Sequence, residues 1–405
     1  MLQIAPRFDY RIECAVVEEK GKVRAVHEDA HLLAPELALF AVADGMGGHA
    51  AGEVAARLAL EEVRACIAEK SSQRVLDAYV AQPDLETRRQ VFARLKRAVE
   101  KANARVWRAA LGREEWAGMG TTLDVVWLAR DHAFVAHAGD GRIYLARSRA
   151  VLQLTQDHAQ IESLKATGML SAHSKSYPDR LINALGLSEG VTVDTLFVDL
   201  GLGDRLLLCS DGVYTQFTKE SELGELLREG TPEHAARRIV DRALESGSDN
   251  ATALLVQICA RLVKRATHDR GLLAADLDRA RQSALLTALT LQQVLNALSA
   301  AVEVELESGA RVPRAVASDL VAYIVLDGVV RLSTARQVGT GALLFPESLV
   351  GVSYEGPLPL VEQPSRLLRL RAEDFKEVCS GDPVLAAELY RHLAEHLARV
   401  GVQNG

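Results

Sequence analysis

The sequence predicts an α+β chain of two domains, on three observations. Its 405 residues are about twice what one hydrophobic core usually serves. Short apolar runs closed by an acidic residue, usually with a glycine, recur as far as Ile258, with amphipathic helices in blocks between them. After Ile258 the chain turns charged and helix-prone before a second set of short strands. Strands and helices in blocks favour antiparallel sheets with packed helices over strict βαβ alternation.

Taken in order, Leu37 to Ala43 runs into Asp44-Gly45, and Thr122 to Ala129 forms a second run. Ala133 to Ala138 leads to Gly139-Asp140-Gly141, Leu206 to Cys209 to Ser210-Asp211-Gly212, and Thr252 to Ile258 follows. Runs this short, bounded by turn residues, predict buried strands. Two amphipathic stripes predict helices, Ala55, Leu58, Ala59, Val63, Cys66 and Ile67 on one, and Val91, Leu95, Ala98, Val99, Ala102 and Val106 on the other. Arg261 to Arg281 reads as a helical linker, and Leu285 to Ala300 as a further helix. Val302 to Leu306, Ala322 to Leu326 and Val329 to Ser333 read as strands, with Asp327-Gly328 as a two-residue hairpin, and Pro383 to Val400 as a closing helix. The expected division is 1–260, a linker over 261–284, and 285–405.

Composition narrows the function classes. Hydrophobic residues at 48% and charged residues at 25% are ordinary for a globular chain and exclude disorder throughout. Lys plus Arg total 47 against 54 Asp plus Glu, a net charge of −7 with no basic run, so nucleic acid is not an expected partner. Cys14, Cys66, Cys209, Cys259 and Cys379 are odd in number and scattered, as in a reducing cytoplasm. No segment reaches the roughly 18 apolar residues of a membrane span, and the N-terminus carries no signal-peptide core, so neither membrane nor secretion is expected.

Chemistry is concentrated in the acidic turns at Asp44, Asp140, Asp211 and Asp249. Any one Asp-Gly is a common turn dipeptide. Four acidic turns beside core strands, three of them Asp-Gly and the fourth Asp249-Asn250, could meet at one rim, where uncompensated carboxylates would repel. Oxygen donors without His or Cys at matching turns point to hard ions, Mg²⁺ or Mn²⁺. Such ions about 3.5–4 Å apart activate water for in-line attack on phosphorus.

The context of these turns carries a resemblance. Arg24-Ala25-Val26-His27-Glu28-Asp29-Ala30, Val42-Ala43-Asp44-Gly45-Met46-Gly47-Gly48-His49, Gly118-Met119-Gly120-Thr121-Thr122 and Ala138-Gly139-Asp140-Gly141-Arg142 come in that order. Leu208-Cys209-Ser210-Asp211-Gly212 and Asp249-Asn250-Ala251-Thr252 follow. This ordered set closely resembles the bacterial branch of the metal-dependent protein phosphatase 2C family, over about Arg7 to Ala260.

The resemblance implies a four-layer αββα sandwich of two antiparallel sheets flanked by helices, and hydrolysis of phosphoserine or phosphothreonine in proteins. It implies two Mn²⁺ or Mg²⁺ ions bound by Asp44, the Gly45 carbonyl, Asp211 and Asp249, with Glu28 and Asp29 holding waters around them. Asp140 matches an acid that shares a third, weaker ion with Asp211, and Arg24 matches the phosphate clamp, a role suited to a planar guanidinium fork. Met46 departs from many eukaryotic members, which carry His there. His49, three residues on, reads as structural or helix-capping, which leaves a water at the ions as the proton donor. Leu154 to Gly186 matches the family's substrate flap, with His158 as a packing or turn residue.

Two further patterns lie in the second half. His392-Leu393-Ala394-Glu395-His396 fits an H-x-x-E-H zinc pattern, yet it shares its helix with the packing stripe Leu389, Leu393 and Leu397 and lacks a downstream acidic ligand, so no zinc is expected. The region from about Ala284 resembles a cyclic-nucleotide-binding β-roll in Leu285 to Thr290, Val302 to Gly309, Tyr323 to Gly328 and Phe375 with the closing helix. Phe345-Pro346-Glu347-Ser348-Leu349 keeps that family's Glu without the Gly before it. No Arg appears from Leu349 through Pro364, and Arg366 comes late. The expectation is a degenerate roll, with dimerisation, docking and autoregulation left open.

The sequence thus predicts a cytoplasmic Mn²⁺- or Mg²⁺-dependent serine/threonine phosphatase acting on phosphoproteins, such as a serine/threonine kinase or its targets. The rival reading is a phosphoprotein-binding pseudophosphatase that works through the roll.

Overall fold

Every residue of Leu123–Ala129 is buried, as is every residue of Arg205–Cys209. Strands buried on both faces need a layer on each side, and the computed structural model shows those layers. The structure describes residues 3–47, 51–147, 150–158, 181–245, 249–262, 274–298, 301–316, 319–333, 336–381 and 383–403. The chain divides into two units, Met1–Lys264 and Arg265–Gly405.

In the first unit the strands are β1 (Gln3–Ile4), β2 (Tyr10–Glu19), β3 (Asp29–Ala34), β4 (Leu39–Met46), β5 (Gly120–Thr121), β6 (Leu123–Ala129) and β7 (His132–Ala138). They continue with β8 (Arg142–Arg147), β9 (Ala150–Gln153), β10 (Asp194–Asp199), β11 (Arg205–Cys209) and β12 (Ala251–Arg261). One sheet has the order β1-β2-β12-β11-β8-β9, the other β10-β7-β6-β4-β3 with β5 on β4. All these pairings are antiparallel. The sheets meet where β11 and β12 pack on β3 and β4.

Helices α1 (Ala51–Ala68), α2 (Lys70–Ala81) and α3 (Leu85–Gly112) cover the second sheet. Ala55, Val63 and Ile67 of α1 and Leu95, Val99 and Val106 of α3 are buried in one core with Trp127 and Phe134. Asp84 starts α3 as a capping box with Thr87, its carboxylate accepting from the Thr87 amide at 2.9 Å. The first sheet is covered by α4 (Asp211–Tyr214), α5 (Glu220–Leu226) and α6 (Pro232–Leu244), whose Ile239 and Val240 are buried against Leu207 and Leu255. Thr231 caps α6, and Pro232 fills its first position, where a missing amide costs nothing. The result is helices, sheet, sheet, helices.

The second unit holds α7 (Ala274–Ala280), α8 (Leu291–Leu298), β13 (Val302–Leu306), β14 (Ala315–Val316), β15 (Asp319–Ser333), β16 (Arg336–Val338), β17 (Leu343–Leu344), β18 (Leu360–Arg371), α9 (Ala372–Gly381) and α10 (Pro383–Gln403). Its sheet runs β13-β18-β15-β14, with β16 and β17 also on β15. Tyr323, Val325, Val361 and Leu367 are buried together in its core with Phe345.

Three expectations need correction here. No hairpin forms at Asp327-Gly328: β15 runs straight through it, paired with β18 on both sides. Gly328 adopts φ +96° and makes a bulge opposite Pro364 and Ser365, a place where a proline in the partner strand has no donor to offer. The helix expected over Leu285 to Ala300 is only Leu291–Leu298. Ala288 turns into the left-handed region at φ +61°, and Thr290 and Gln293 cap each other to start the helix anew. Residues 263–273 of the expected linker lie outside the described residues. Of the rest, Arg261 ends β12, and α7 buries Leu277, Ala280 and Asp276, so it is a packed helix of the second unit.

Candidate metal centre

The predicted acids stand at one end of the two sheets because they terminate or open neighbouring strands. Asp44 lies in β4, directly opposite Asp29 on β3, and Glu28 immediately precedes β3. Asp211 opens α4 after β11, and Asp249 lies two residues before β12. Asp140 occupies the turn between β7 and β8. Arg24 sits in the loop from β2 to β3, half exposed, its guanidinium on the Asp249 carboxylate at 2.6 Å.

Backbone and hydroxyl contacts fix this rim. The Asp44 amide donates to Thr122 Oγ1 at 2.9 Å, and the Asp44 carbonyl accepts from the Thr122 amide and the Thr121 hydroxyl. Buried Asp29 accepts at one oxygen from Ser210 Oγ and Thr252 Oγ1, both at 2.7 Å. Its other oxygen is buried without a hydroxyl or amide donor, and the Asp44 carboxyl lies within hydrogen-bonding reach of Asp29. Asn250 ties the Arg24 loop to β12: its carbonyl oxygen accepts from the Glu28 amide, and its amide donates to the carbonyls of Lys20 and Val26. A side chain at Gly45 would place its Cβ 2.1 Å from the Gly52 carbonyl oxygen, so only glycine lets the start of α1 close on this turn. Ser210, Thr252, Thr122 and Asn250 lie inside the quoted motifs, but no spacing in the sequence marks them as partners of Asp29 or Asp44.

The electrostatics are those of crowded carboxylates. Burial raises the Asp44 pKa well above the usual range, and the negative charges of Asp29, Asp211, Asp140 and Asp249 add to it. Burial likewise raises Asp29, against the bonds from Thr252 and Ser210, and raises Glu28. Asp140 is pushed up to about 7 by burial and then by Asp211 and Asp157. Asp211 is pushed up to about 6 by burial and then by Asp249 and Asp29. Arg24 is raised, first by its bond to Asp249.

An all-oxygen set with a buried carboxylate oxygen that no hydroxyl or amide serves suits a hard divalent cation. As the side chains stand, no three His, Cys, Asp or Glu among the described residues form a ready ligand set. An entering ion would therefore have to draw the carboxylates inward by side-chain rotation, and Asp249 would have to exchange Arg24 for it. His49 lies outside the described residues, as do residues 159–180 of the expected flap. The His392 pattern holds no free imidazole pair, since buried His392 donates through Nδ1 to the Leu285 carbonyl and its Nε2 faces Arg391.

A double antiparallel sheet between helix layers, with a carboxylate rim and an arginine beside it, suits metal-assisted phosphoester hydrolysis. The family profile "Protein phosphatase 2C" matches residues 22–246. The serine/threonine phosphatase stp of Listeria monocytogenes is 34% identical over 221 residues, spanning 53% of this chain and 82% of that protein. The serine/threonine protein phosphatase PstP of Mycobacterium tuberculosis is 32% identical over 247 residues, 60% of this chain and 44% of that one. The crystal structure of the M. tuberculosis phosphatase PstP/Ppp superposes with a TM-score of 0.53 at 30% identity, covering 61% of this chain and 99% of that chain. The catalytic domain of PstP in complex with two manganese ions gives a TM-score of 0.51, also at 30% identity, over 61% and 98%. The chain belongs to the protein phosphatase 2C family, and is by class a metal-dependent serine/threonine phosphatase. Among the described residues no helix is long and apolar enough to cross a membrane.

Proposed function

We propose that the first unit hydrolyses phosphoserine and phosphothreonine in proteins, using Mn²⁺ or Mg²⁺ held by Asp44, the Gly45 carbonyl, Asp211 and Asp249. Glu28 and Asp29 would form the outer layer of this site, and Asp140 would share a third, weaker ion with Asp211. When bound, the ions supply Lewis acidity that neutralises phosphoryl charge and lowers the pKa of water. The chain's own residues do the rest. Arg24 turns its fork to two phosphoryl oxygens and fixes the phosphorus for in-line displacement. Ser210 and Thr252 keep Asp29 oriented, and Asn250 holds the loop that carries Arg24.

The observation that carries this reading is the burial of Asp44 among the negative charges of Asp29, Asp211, Asp140 and Asp249, a charge cost that divalent cations remove. The manganese-bound PstP catalytic domain supports the choice of ion. The five cysteines are all free, in keeping with a reducing cytoplasm where phosphoprotein partners of a serine/threonine kinase would be met.

For the second unit we propose a degenerate β-roll that serves regulation or assembly and does not bind a nucleotide. Arg366 is committed to buried Asp276, at 3.0 and 2.9 Å, and to Glu303 at 2.6 Å, which leaves it no fork for a cyclic phosphate.

The test is turnover of p-nitrophenyl phosphate and of a phosphothreonine peptide with Mn²⁺ and then with EDTA. Activity is expected only with metal, and Asp211→Asn is expected to lose more than the roughly 10–100-fold typical of an outer partner of a metal site. Turnover that survives EDTA, or an Asp211→Asn enzyme at full rate, would reject the metal site. Phosphopeptide binding without any turnover would favour the pseudophosphatase.

A further inference from the structure

Beneath the Asp140 turn lies a polar layer that the proposed reaction does not use. Asp194, His137 and Asp124 stand in register across β10, β7 and β6. His137 and Asp124 are both 1% exposed, joined by Nδ1 and Oδ1 at 2.7 Å. His137 Nε2 meets the Gln156 carbonyl at 3.0 Å. Nε2 faces only an acceptor and so carries a proton, and one further proton lies in the Nδ1–Oδ1 contact between His137 and Asp124. The second Asp124 oxygen is buried without a partner and lies where a Cβ at Gly141 would stand, 1.9 Å away.

His158 lies beside this pair, its ring centroid 4.7 Å from that of His137 and its plane tilted by 48°, and its own bonds fix a single tautomer. The Asn183 amide is oriented by Thr192, which donates to its oxygen at 3.0 Å and accepts from its nitrogen at 2.9 Å. Asn183 Nδ2 can then only donate to His158 Nδ1, at 2.7 Å, and the Gly139 amide donates to the same nitrogen at 3.2 Å. His158 Nε2 carries the proton and donates to Asp194 Oδ2 at 3.0 Å. The His158 amide in turn donates to the Gly139 carbonyl at 2.7 Å. Both backbone groups of Gly139, the residue before Asp140, are thus bound by one residue. Gly139 itself sits at φ +126°, in a region that glycine enters freely, so these two bonds rather than a backbone preference fix the turn.

We propose that His158, held as its Nε2–H tautomer by Asp194 and backed by the hydrogen-bonded Asp124–His137 pair, is a positioning residue that sets the Gly139-Asp140-Gly141 turn and so aims the Asp140 carboxylate at the ion site. The proposal rests on the reading of Asp140 as an ion ligand. It requires an acceptor at the Nδ1 position, which an asparagine amide reproduces and a glutamine amide, reaching to the Nε2 position, does not.

The test is Mn²⁺ titration of the full chain by calorimetry, with melting temperature recorded for each variant. His158→Gln is expected to weaken the weakest Mn²⁺ step about tenfold, within the range seen when outer-layer partners are removed. His158→Asn should keep the affinity within about twofold, since it restores the acceptor. In an Asp140→Asn background His158→Gln should add nothing, because the two act as one unit. Equal losses for Asn and Gln, or an undiminished effect of Gln without the Asp140 carboxylate, would overturn the proposal, as would a lowered melting temperature with unchanged Mn²⁺ affinity. Should either His158 variant fail to fold, Asp194→Ala, at a more exposed position, is expected to weaken the same step, and unaltered affinity there counts against the tautomer. If Asp140→Asn leaves Mn²⁺ binding intact while Asp211→Asn abolishes it, the reading of Asp140 fails and the positioning role with it. If Asp140→Asn loses the step and His158→Gln does not, the positioning role alone fails.

Discussion

Arg24 and Asp249 are joined by a 2.6 Å ion pair that links the loop before β3 to the turn before β12. Both side chains are more than a third exposed, so the pair contributes little to stability, about 0–1 kcal/mol. Its importance lies in competition, because Asp249 and a phosphoryl group would claim the same guanidinium. Arg24→Ala is expected to lower kcat/KM for a phosphothreonine peptide about 10–100-fold, the equivalent of one or two lost bonds to a charged group. The loss should fall mainly on KM. Mn²⁺ affinity by calorimetry should stay the same or tighten slightly, since Asp249 is relieved of a competing cation. Loss of Mn²⁺ binding in this variant would remove Arg24 from the clamp role.

The raised carboxyl pKa values set a pH dependence whose sign can be worked out. Asp140 near 7 and Asp211 near 6 bind protons more tightly in the folded chain than in the unfolded one, where Asp titrates at about 3.9. Between those values the native state carries more protons, so unfolding free energy falls as pH rises. Stability from these groups is complete below about 4 and lost as pH passes through 6 to 7. In EDTA the melting temperature of the first transition should therefore be higher at pH 5 than at pH 8. Mn²⁺ competes with those protons, so the stabilisation it gives should grow with pH. An Mn²⁺ effect that is the same at both pH values would mean that these carboxylates do not hold the ion.

The acids are legible in the sequence because each closes or opens a strand with a turn signature that survives in a single chain. β6, β7 and β11 are legible for the same reason, as apolar runs with turn residues at their ends. β2 is not: Tyr10–Glu19 mixes Arg11, Glu13, Glu18 and Glu19 with apolar residues and is half-buried along most of its length. Its identity as a strand comes from pairing with β12, more than 230 residues away. The same holds for the residues that orient the site. Ser210 and Thr252 reach Asp29 across sequence separations of 181 and 223, and two hydroxyls in separate motifs carry no local sign of a common partner. Gly328 misleads in the opposite direction, since Asp-Gly serves a hairpin and a bulge equally well, and only the partner strand with Pro364 decides between them.

The Asp29 cradle can be tested apart from the ion ligands. Ser210→Ala and Thr252→Val each remove one hydroxyl from the same carboxylate oxygen. Each is expected to lower activity at limiting Mn²⁺ about 10–100-fold, the range for outer-layer partners of a metal site, with much of the loss recovered at saturating Mn²⁺. The double variant should lose less than the sum of the two, because both donors act on one group. Full activity at limiting Mn²⁺ in both single variants would show that Asp29 needs no orientation.

In the second unit, Asp276 is 1% exposed and its carboxylate is held by both arms of Arg366, with Arg279 at 3.3 Å. Arg366→Ala strands a buried carboxylate, and removing one partner of such a pair costs about 3–5 kcal/mol. Arg279 and water at the partly exposed side offset part of it, so a loss near the lower end is expected. The melting transition of the second unit should shift down while turnover by the first unit, assayed below that transition, is kept. The same pairing predicts that cyclic AMP and cyclic GMP give no saturable heat with the intact chain, because a cyclic phosphate would have to pull Arg366 from two carboxylates at once. Saturable micromolar binding of either nucleotide would show that Arg366 can be released, and the second unit would then be a nucleotide sensor.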